Sequence, residues 1–193
     1  MERIDLEDGH LVWIKSWIPN EKANLLYKSL LLTLPWSSYS IQLFGKDVEI
    51  PRKESFHAVH PNLAYGYSGK RLVTHLFTAE LEALLAQLNA QFHLDLNSVL
   101  ANLYQCGQDS NGWHADNEKE LGENPVIVSV SLGQTRSFKL KHRRHGTVHT
   151  LNLANGDLLL MSDTIQKHYV HQVPKTKKNV LGRINLTFRK IVS

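Results

Sequence analysis

VIVSVSLGQTRSFKLKH (126–142) holds two short β-rich runs separated at Gly133, and similar runs lie on both sides of it. SVLANLY (98–104) comes before; TVHTLNL (147–153), DLLLMS (157–162), HYVHQV (168–173) and RINLTF (183–188) come after. Turn residues punctuate them at Gly107, Gly133, Gly146, Asn155-Gly156 and Pro174. Strands of this length at this spacing predict a sandwich or barrel rather than a βαβ sheet. Toward the N-terminus the texture is helical. Asn20 is expected to cap a helix through EKANLLYKSLLLTL that stops before Pro35. Thr78 is expected to cap a second, with Leu81, Leu84, Leu85 and Leu88 at helical spacing. Between them, IQLFGKDVEIPRK (41–53) reads as a hairpin turning at Phe44-Gly45-Lys46. The expectation is an α+β chain with a jelly-roll core: one domain over 1–193, with packing helices and the hairpin in 1–96 and the core in 97–193.

Bulk properties exclude several classes. The chain has 193 residues, enough for one domain with a real core. No run approaches the roughly 18 apolar residues of a membrane span, and MERIDLEDGHLVW lacks a basic region followed by an apolar one. One cysteine, Cys106, excludes an intramolecular disulfide and suits a reducing, intracellular compartment. That means cytoplasm in a bacterium and nucleus in a eukaryote. The net charge of +4 is too small to imply nucleic acid by itself. KLKHRRH (139–145) and KTKK (175–178) nevertheless concentrate positive charge, which suits either a phosphate backbone or solvated loops.

HAD at 114–116 carries the first chemical signal. On an extended segment, residues i and i+2 share a face, so His114 and Asp116 can bind one ion together. HYVH offers two candidates for a third ligand, His168 and His171. Two imidazoles and a carboxylate suit non-haem iron(II), although the spacing alone also permits zinc.

RINLTFR (183–189) supplies the second signal. As a strand it points Ile184, Leu186 and Phe188 one way and Arg183, Asn185, Thr187 and Arg189 the other. The polar face is either a wet exterior or, turned inward, an anion site, since buried guanidinium groups need partners. A dicarboxylate would supply them. Asn102 and Tyr104, again i and i+2, present polar ends from a strand just before the HAD turn. Iron beside a dicarboxylate site specifies a 2-oxoglutarate oxygenase.

HxD, a later His and RxNxTFR in this order resemble the AlkB family of nucleic-acid repair dioxygenases. QLFGK, PRK, YGYSG and NLY extend the resemblance over roughly residues 10–190, toward the branch acting on duplex DNA and its relatives on single strands. The resemblance implies a double-stranded β-helix core and iron(II) held by His114, Asp116 and His171. His171 is selected because it lies just before Gln172-Val173-Pro174. It implies 2-oxoglutarate contacts at Asn102, Tyr104, Arg183, Asn185 and Arg189, with O2 as the other co-substrate. For substrate it implies Tyr67 stacking on the base opposite His114, Tyr65 nearby, and Glu118 facing an exocyclic amine. Phe44 would fill the gap left by a flipped base, with Arg52 and Lys53 among the phosphate anchors. Departures are Asn117, where duplex-specific relatives carry an acid, and Tyr67, where some members have Phe or Trp.

The activity so implied is oxidative demethylation of bases such as 1-methyladenine and 3-methylcytosine in DNA, with release of formaldehyde, by a monomer that needs no membrane. The competing readings are the same chemistry on RNA, a protein side chain or a lipid, a catalytically silent damage sensor, and a zinc jelly-roll enzyme.

Overall fold

The computed structural model describes residues 1–43, 46–67, 70–162 and 164–192, the side chains of 41–43, 46, 47 and 70 excepted. In chain order the strands are β1 (Glu2–Leu6), β2 (Gly9–Ile14), β3 (Ser37–Leu43), β4 (Lys46–Ala58), β5 (Gly66–Tyr67), β6 (Lys70–Arg71) and β7 (Thr74–Leu76). They continue with β8 (Ser98–Tyr104), β9 (Asn111–His114), β10 (Ile127–Gly133), β11 (Arg136–His142), β12 (Val148–Leu153), β13 (Leu158–Met161), β14 (Tyr169–Val173) and β15 (Arg183–Arg189). The helices are α1 (Asn20–Thr33), α2 (Ala79–Phe92) and α3 (Ile165–His168).

A large sheet runs β1-β2-β13-β10-β15-β8-β4-β3, with β7 added parallel to β4, and a smaller one runs β12-β11-β14-β9. This is the jelly-roll expected, and its crossovers bring β15 between β10 and β8. β8, β10 and β15 are buried along almost their whole length because both faces are covered. One face packs on the helices. Ile184, Leu186 and Phe188 join Val99, Ala101 and Leu103 of β8 in a cluster with Leu81, Leu84, Leu85 and Leu88 of α2. The other face meets the small sheet, where Leu100, Ile127, Phe138, Leu140 and Met161 make a second cluster. Strand alternation therefore turns the polar side of RINLTFR into the space between the sheets, not out to water.

One expectation is corrected. Asn20 is the first residue of α1, not its cap; the cap position is Pro19, without a side-chain bond. Asn20 Oδ1 instead accepts from Asn155 Nδ2 at 2.7 Å, tying the helix start to the Asn155-Gly156 turn. Strands β1–β4 and β7, from the first 96 residues, belong to the same sheet as β8, β10, β13 and β15. The N-terminal hairpin β1–β2 had not been foreseen. It is held by the buried Asp157, whose carboxylate accepts from Trp13 Nε1 and the Ser16 amide. Thr78 does cap α2, accepting from the Leu81 amide at 3.4 Å. The expected turn at Phe44-Gly45 lies outside the described residues.

Candidate metal and co-substrate site

β9 and β14 are antiparallel neighbours, and their register sets His114 opposite His171. The two imidazoles lie edge to face with centroids 4.3 Å apart. Asp116 returns to the same side, its Oδ2 3.5 Å from His171 Nε2. One donor atom from each of the three residues lies within 4.8 Å of the others. His114 Nδ1 sits 2.7 Å from the Gly112 carbonyl, so it carries the proton and leaves Nε2 its lone pair. Burial, with His171 alongside, lowers His114 to about 3, so its ring is neutral. Burial alone would raise Asp116, but Arg189 and the two histidines hold it well below the usual carboxylate range. Neutral imidazole and ionised carboxylate are the ligating forms. Asp116 is held from two directions: its amide donates to Gln166 Oε1 at 3.0 Å, and its Oδ1 accepts from Arg189 Nη2 at 2.5 Å.

His168 is elsewhere. It closes a second cluster with Asp8 and His142, in which both rings face Asp8 Oδ2, at 3.2 Å from His142 and 3.5 Å from His168. That cluster is a poor metal site. His142 Nδ1 accepts from the amides of Arg144 and His145, so its proton must be on Nε2, the atom aimed at Asp8. It is a hydrogen-bonded anchor for the β1–β2 turn.

The residues expected to meet the co-substrate come together across the large sheet. Arg183 pairs in register with Tyr104, and Asn185 with Asn102. Arg183 Nη2 donates to Ser131 Oγ and Asn185 Oδ1, and Asn185 Nδ2 donates to Thr187 Oγ1. Asn102, Tyr104, Asn185 and Arg189 line the same cavity as His114, Asp116 and His171, a space of about 700 Å³. Arg183 lies behind that wall, 5.5 Å from the Tyr104 ring centroid.

Among the base-facing expectations, Tyr65, Tyr67 and Glu118 line the cavity. Tyr65 is almost fully buried, its ring between Phe56 and the Arg189 guanidinium. Arg52 departs from its expected role at phosphate. Strand alternation turns it inward with Glu54, and Nη2 pairs with Glu54 Oε1 at 2.8 Å, so it faces the cavity rather than the surface. Lys53, on the other side of β4, is half-buried and outside the cavity lining. Phe44 lies outside the described residues.

Sequence reasoning missed Glu54, Gln166, Ser131 and Arg136. Each is buried and bonded to neighbouring groups; Arg136, for example, donates to the carbonyls of Cys106, Asp109 and Pro174. Only the alternation of PRKES, which pairs residues 52 and 54, carried a usable signal.

A family profile described as the 2OG-Fe(II) oxygenase superfamily matches residues 10–189. Human DNA oxidative demethylase ALKBH2 is 36% identical over 160 residues, covering 79% of this chain and 61% of that protein. The Arabidopsis thaliana protein of the same name is 30% identical, covering 98% and 69%. Mouse alkB homolog 3, an alpha-ketoglutarate-dependent dioxygenase, is 30% identical, covering 89% and 62%. The chain belongs to the AlkB family of 2OG-Fe(II) oxygenases.

It spans 57% to 66% of the length of the mammalian ALKBH2 proteins it matches. The solved structure of OsALKBH1 shares the fold with a TM-score of 0.66 at 18% identity, covering 96% of this chain and 100% of that one. An AlkB chain uses iron(II), 2-oxoglutarate and O2, and the residues here fit those groups. Nε and Nη1 of both Arg183 and Arg189 are buried without a hydrogen-bond partner, and among the described residues no carboxylate pairs with Arg183. Unpartnered guanidinium donors on Arg189, which is bonded to Asp116, and on Arg183, farther along the same polar face of β15, match a dicarboxylate that also reaches the metal. Among the described residues, no helix of this AlkB chain is long and apolar enough to cross a membrane.

Proposed function

We propose that the chain removes N-linked alkyl groups from nucleobases in DNA, 1-methyladenine and 3-methylcytosine being typical targets. Iron(II) would be held by His114, Asp116 and His171, and 2-oxoglutarate by Asn102, Tyr104, Arg183, Asn185 and Arg189. The observation that carries the reading is Glu118. It lines the cavity two residues beyond Asp116, and its Oε2 is buried without a partner. Burial, then Asp116, pushes its carboxyl above the usual range. A carboxyl so placed gains most from an incoming cation, and methylation at a ring nitrogen makes the base cationic. Support also comes from the relatives named as DNA oxidative demethylases.

Iron(II), when bound by His114, Asp116 and His171, would supply the oxidising power by which O2 and 2-oxoglutarate become succinate and carbon dioxide and the methyl group is hydroxylated. The protein does the rest. Arg183 and Arg189 orient the dicarboxylate by charge-assisted bonds, and the Tyr67 ring offers the extruded base a stacking partner. Extrusion costs a few kcal/mol, least for a lesion that pairs badly. The N-hydroxymethyl product then loses formaldehyde and leaves the restored base. Arg143, Arg144, Lys175, Lys177 and Lys178 are exposed and suit the phosphate backbone. We read the enzyme as a monomer, and as intracellular from its single, free cysteine.

Glu118→Gln should lower kcat/KM on 1-methyladenine DNA about tenfold to a hundredfold, by loss of a charge-assisted contact of about 1.5–3 kcal/mol. Uncoupled decarboxylation of 2-oxoglutarate should be unchanged; an equal loss in both would place Glu118 at the co-substrate instead. Substrate form is tested by turnover of one methylated sequence as duplex DNA, single-stranded DNA and RNA. RNA as the best substrate would replace the DNA reading. In the same assay Phe44→Ala should reduce duplex turnover several-fold more than single-strand turnover, as expected of a residue that fills the gap in the stack. Equal losses would refute that role.

A further inference from the structure

Glu54 is fully buried on β4, yet it is not part of the cavity wall. It heads a polar row that crosses the large sheet in register, through Asn102 on β8 and Asn185 on β15 to Ser131 on β10. Its two oxygens serve different partners. Oε1 accepts from Arg52, at 2.9 Å from Nε and 2.8 Å from Nη2. Oε2 accepts the Tyr67 hydroxyl proton in a short hydrogen bond. Arg52 in turn donates from Nε to Asn102 Oδ1 at 2.9 Å and from Nη2 to the Tyr67 oxygen at 3.3 Å. Burial first, then Glu54, raises the Tyr67 hydroxyl, so it remains a donor. Tyr67 belongs to the short β5–β6 ribbon, which is separate from both large sheets. The bond to Glu54 therefore joins that ribbon to the large sheet at the ring that faces the cavity.

We propose that Glu54 is a positioning residue that sets the orientation of the Tyr67 ring for the damaged base and, through Arg52, holds it in register with Asn102 on the co-substrate wall. The inference rests on the base-demethylating reading for the identity of the ligand. Glu54 touches neither base nor co-substrate and acts only through its partners. A buried carboxylate shared between a guanidinium and a phenol is stiff, because each alternative rotamer leaves a charge unpaired. A stiff platform loses less entropy when a base stacks on it.

The test uses Glu54→Gln, Tyr67→Phe and the double variant of the full chain. Each is given 2-oxoglutarate and manganese(II) without oxygen and titrated with a fluorescent single-stranded oligonucleotide carrying one 1-methyladenine or none. Glu54→Gln should reduce the preference for the methylated strand about tenfold. Tyr67→Phe, which removes the other end of the bond while keeping the ring, should do much the same. The double variant should lose little more than either, as expected of two groups in one interaction. A purely structural Glu54 would lower thermal stability and leave the preference intact. Unchanged preference in either single variant, or losses that add in the double, overturns the proposal. Should Glu54→Gln fail to fold, Tyr67→Phe alone decides it. No preference in the unaltered chain would instead fail the functional reading and the inference with it.

Discussion

Arg183→Met should raise the 2-oxoglutarate concentration for half-maximal turnover by about a hundredfold. Two charge-assisted bonds to a carboxylate contribute about 3 kcal/mol, and each 1.4 kcal/mol is about a factor of ten. The same variant should melt at a higher temperature than the unaltered chain when neither contains 2-oxoglutarate. The reason is the state of Arg183. It is 1% exposed, two of its nitrogens have no partner, and burial lowers its guanidinium to about 10. A buried charge without a counter-ion opposes folding by several kcal/mol, and a methionine of similar length removes that penalty. Adding 2-oxoglutarate should stabilise the unaltered chain, by about 2.7 kcal/mol at a hundred times its dissociation constant. It should do far less for the variant at that concentration. Thermal melts with and without 2-oxoglutarate, alongside succinate release, make the measurement. Normal co-substrate affinity in Arg183→Met would refute the assignment.

Asp116→Ala should abolish metal binding and turnover together, and it should destabilise the metal-free protein by about 3–5 kcal/mol. Asp116 is a candidate ligand and also the counter-ion of Arg189, both nearly inaccessible to solvent. Burial would lower Arg189, yet Asp116 holds it above the usual arginine range, so the alanine variant strands a cation. Adding Arg189→Met to Asp116→Ala should therefore recover much of the stability and none of the metal binding. Titration with iron(II) under nitrogen and urea unfolding separate the two effects. Iron affinity retained in Asp116→Ala would remove it from the ligand set.

Residues proposed to meet ligand or metal were more legible in the sequence than the buried residues bonded behind them. RINLTFR read two ways until its neighbours were known; β10 and β8 on either side turn its polar face into the interior. HYVH left His168 and His171 open because the deciding fact is the β9–β14 register, a long-range pairing that no local pattern encodes. The core strands from Ser98 onward were plain, since turn residues bound them cleanly. The N-terminal hairpin was hidden because its strands mix charged and apolar residues and are only partly buried. Arg52 shows the limit of reading charge as exposure: beside Pro51 and Lys53 it looked like a surface cation, but Glu54 two residues on makes an inward pair possible. Asn20 was assigned as a cap by residue type, whereas its side chain is engaged by Asn155.

Product stoichiometry tests whether iron- and 2-oxoglutarate-dependent demethylation occurs at the His114–Asp116–His171 site. Purified protein is given iron(II), ascorbate, 2-oxoglutarate and an oligonucleotide carrying one 1-methyladenine. Formaldehyde and restored adenine are expected in equal amounts, with at least as much succinate, and none of the three without 2-oxoglutarate. Failure to release formaldehyde from any methylated DNA or RNA, with iron and 2-oxoglutarate both bound, would contradict this activity.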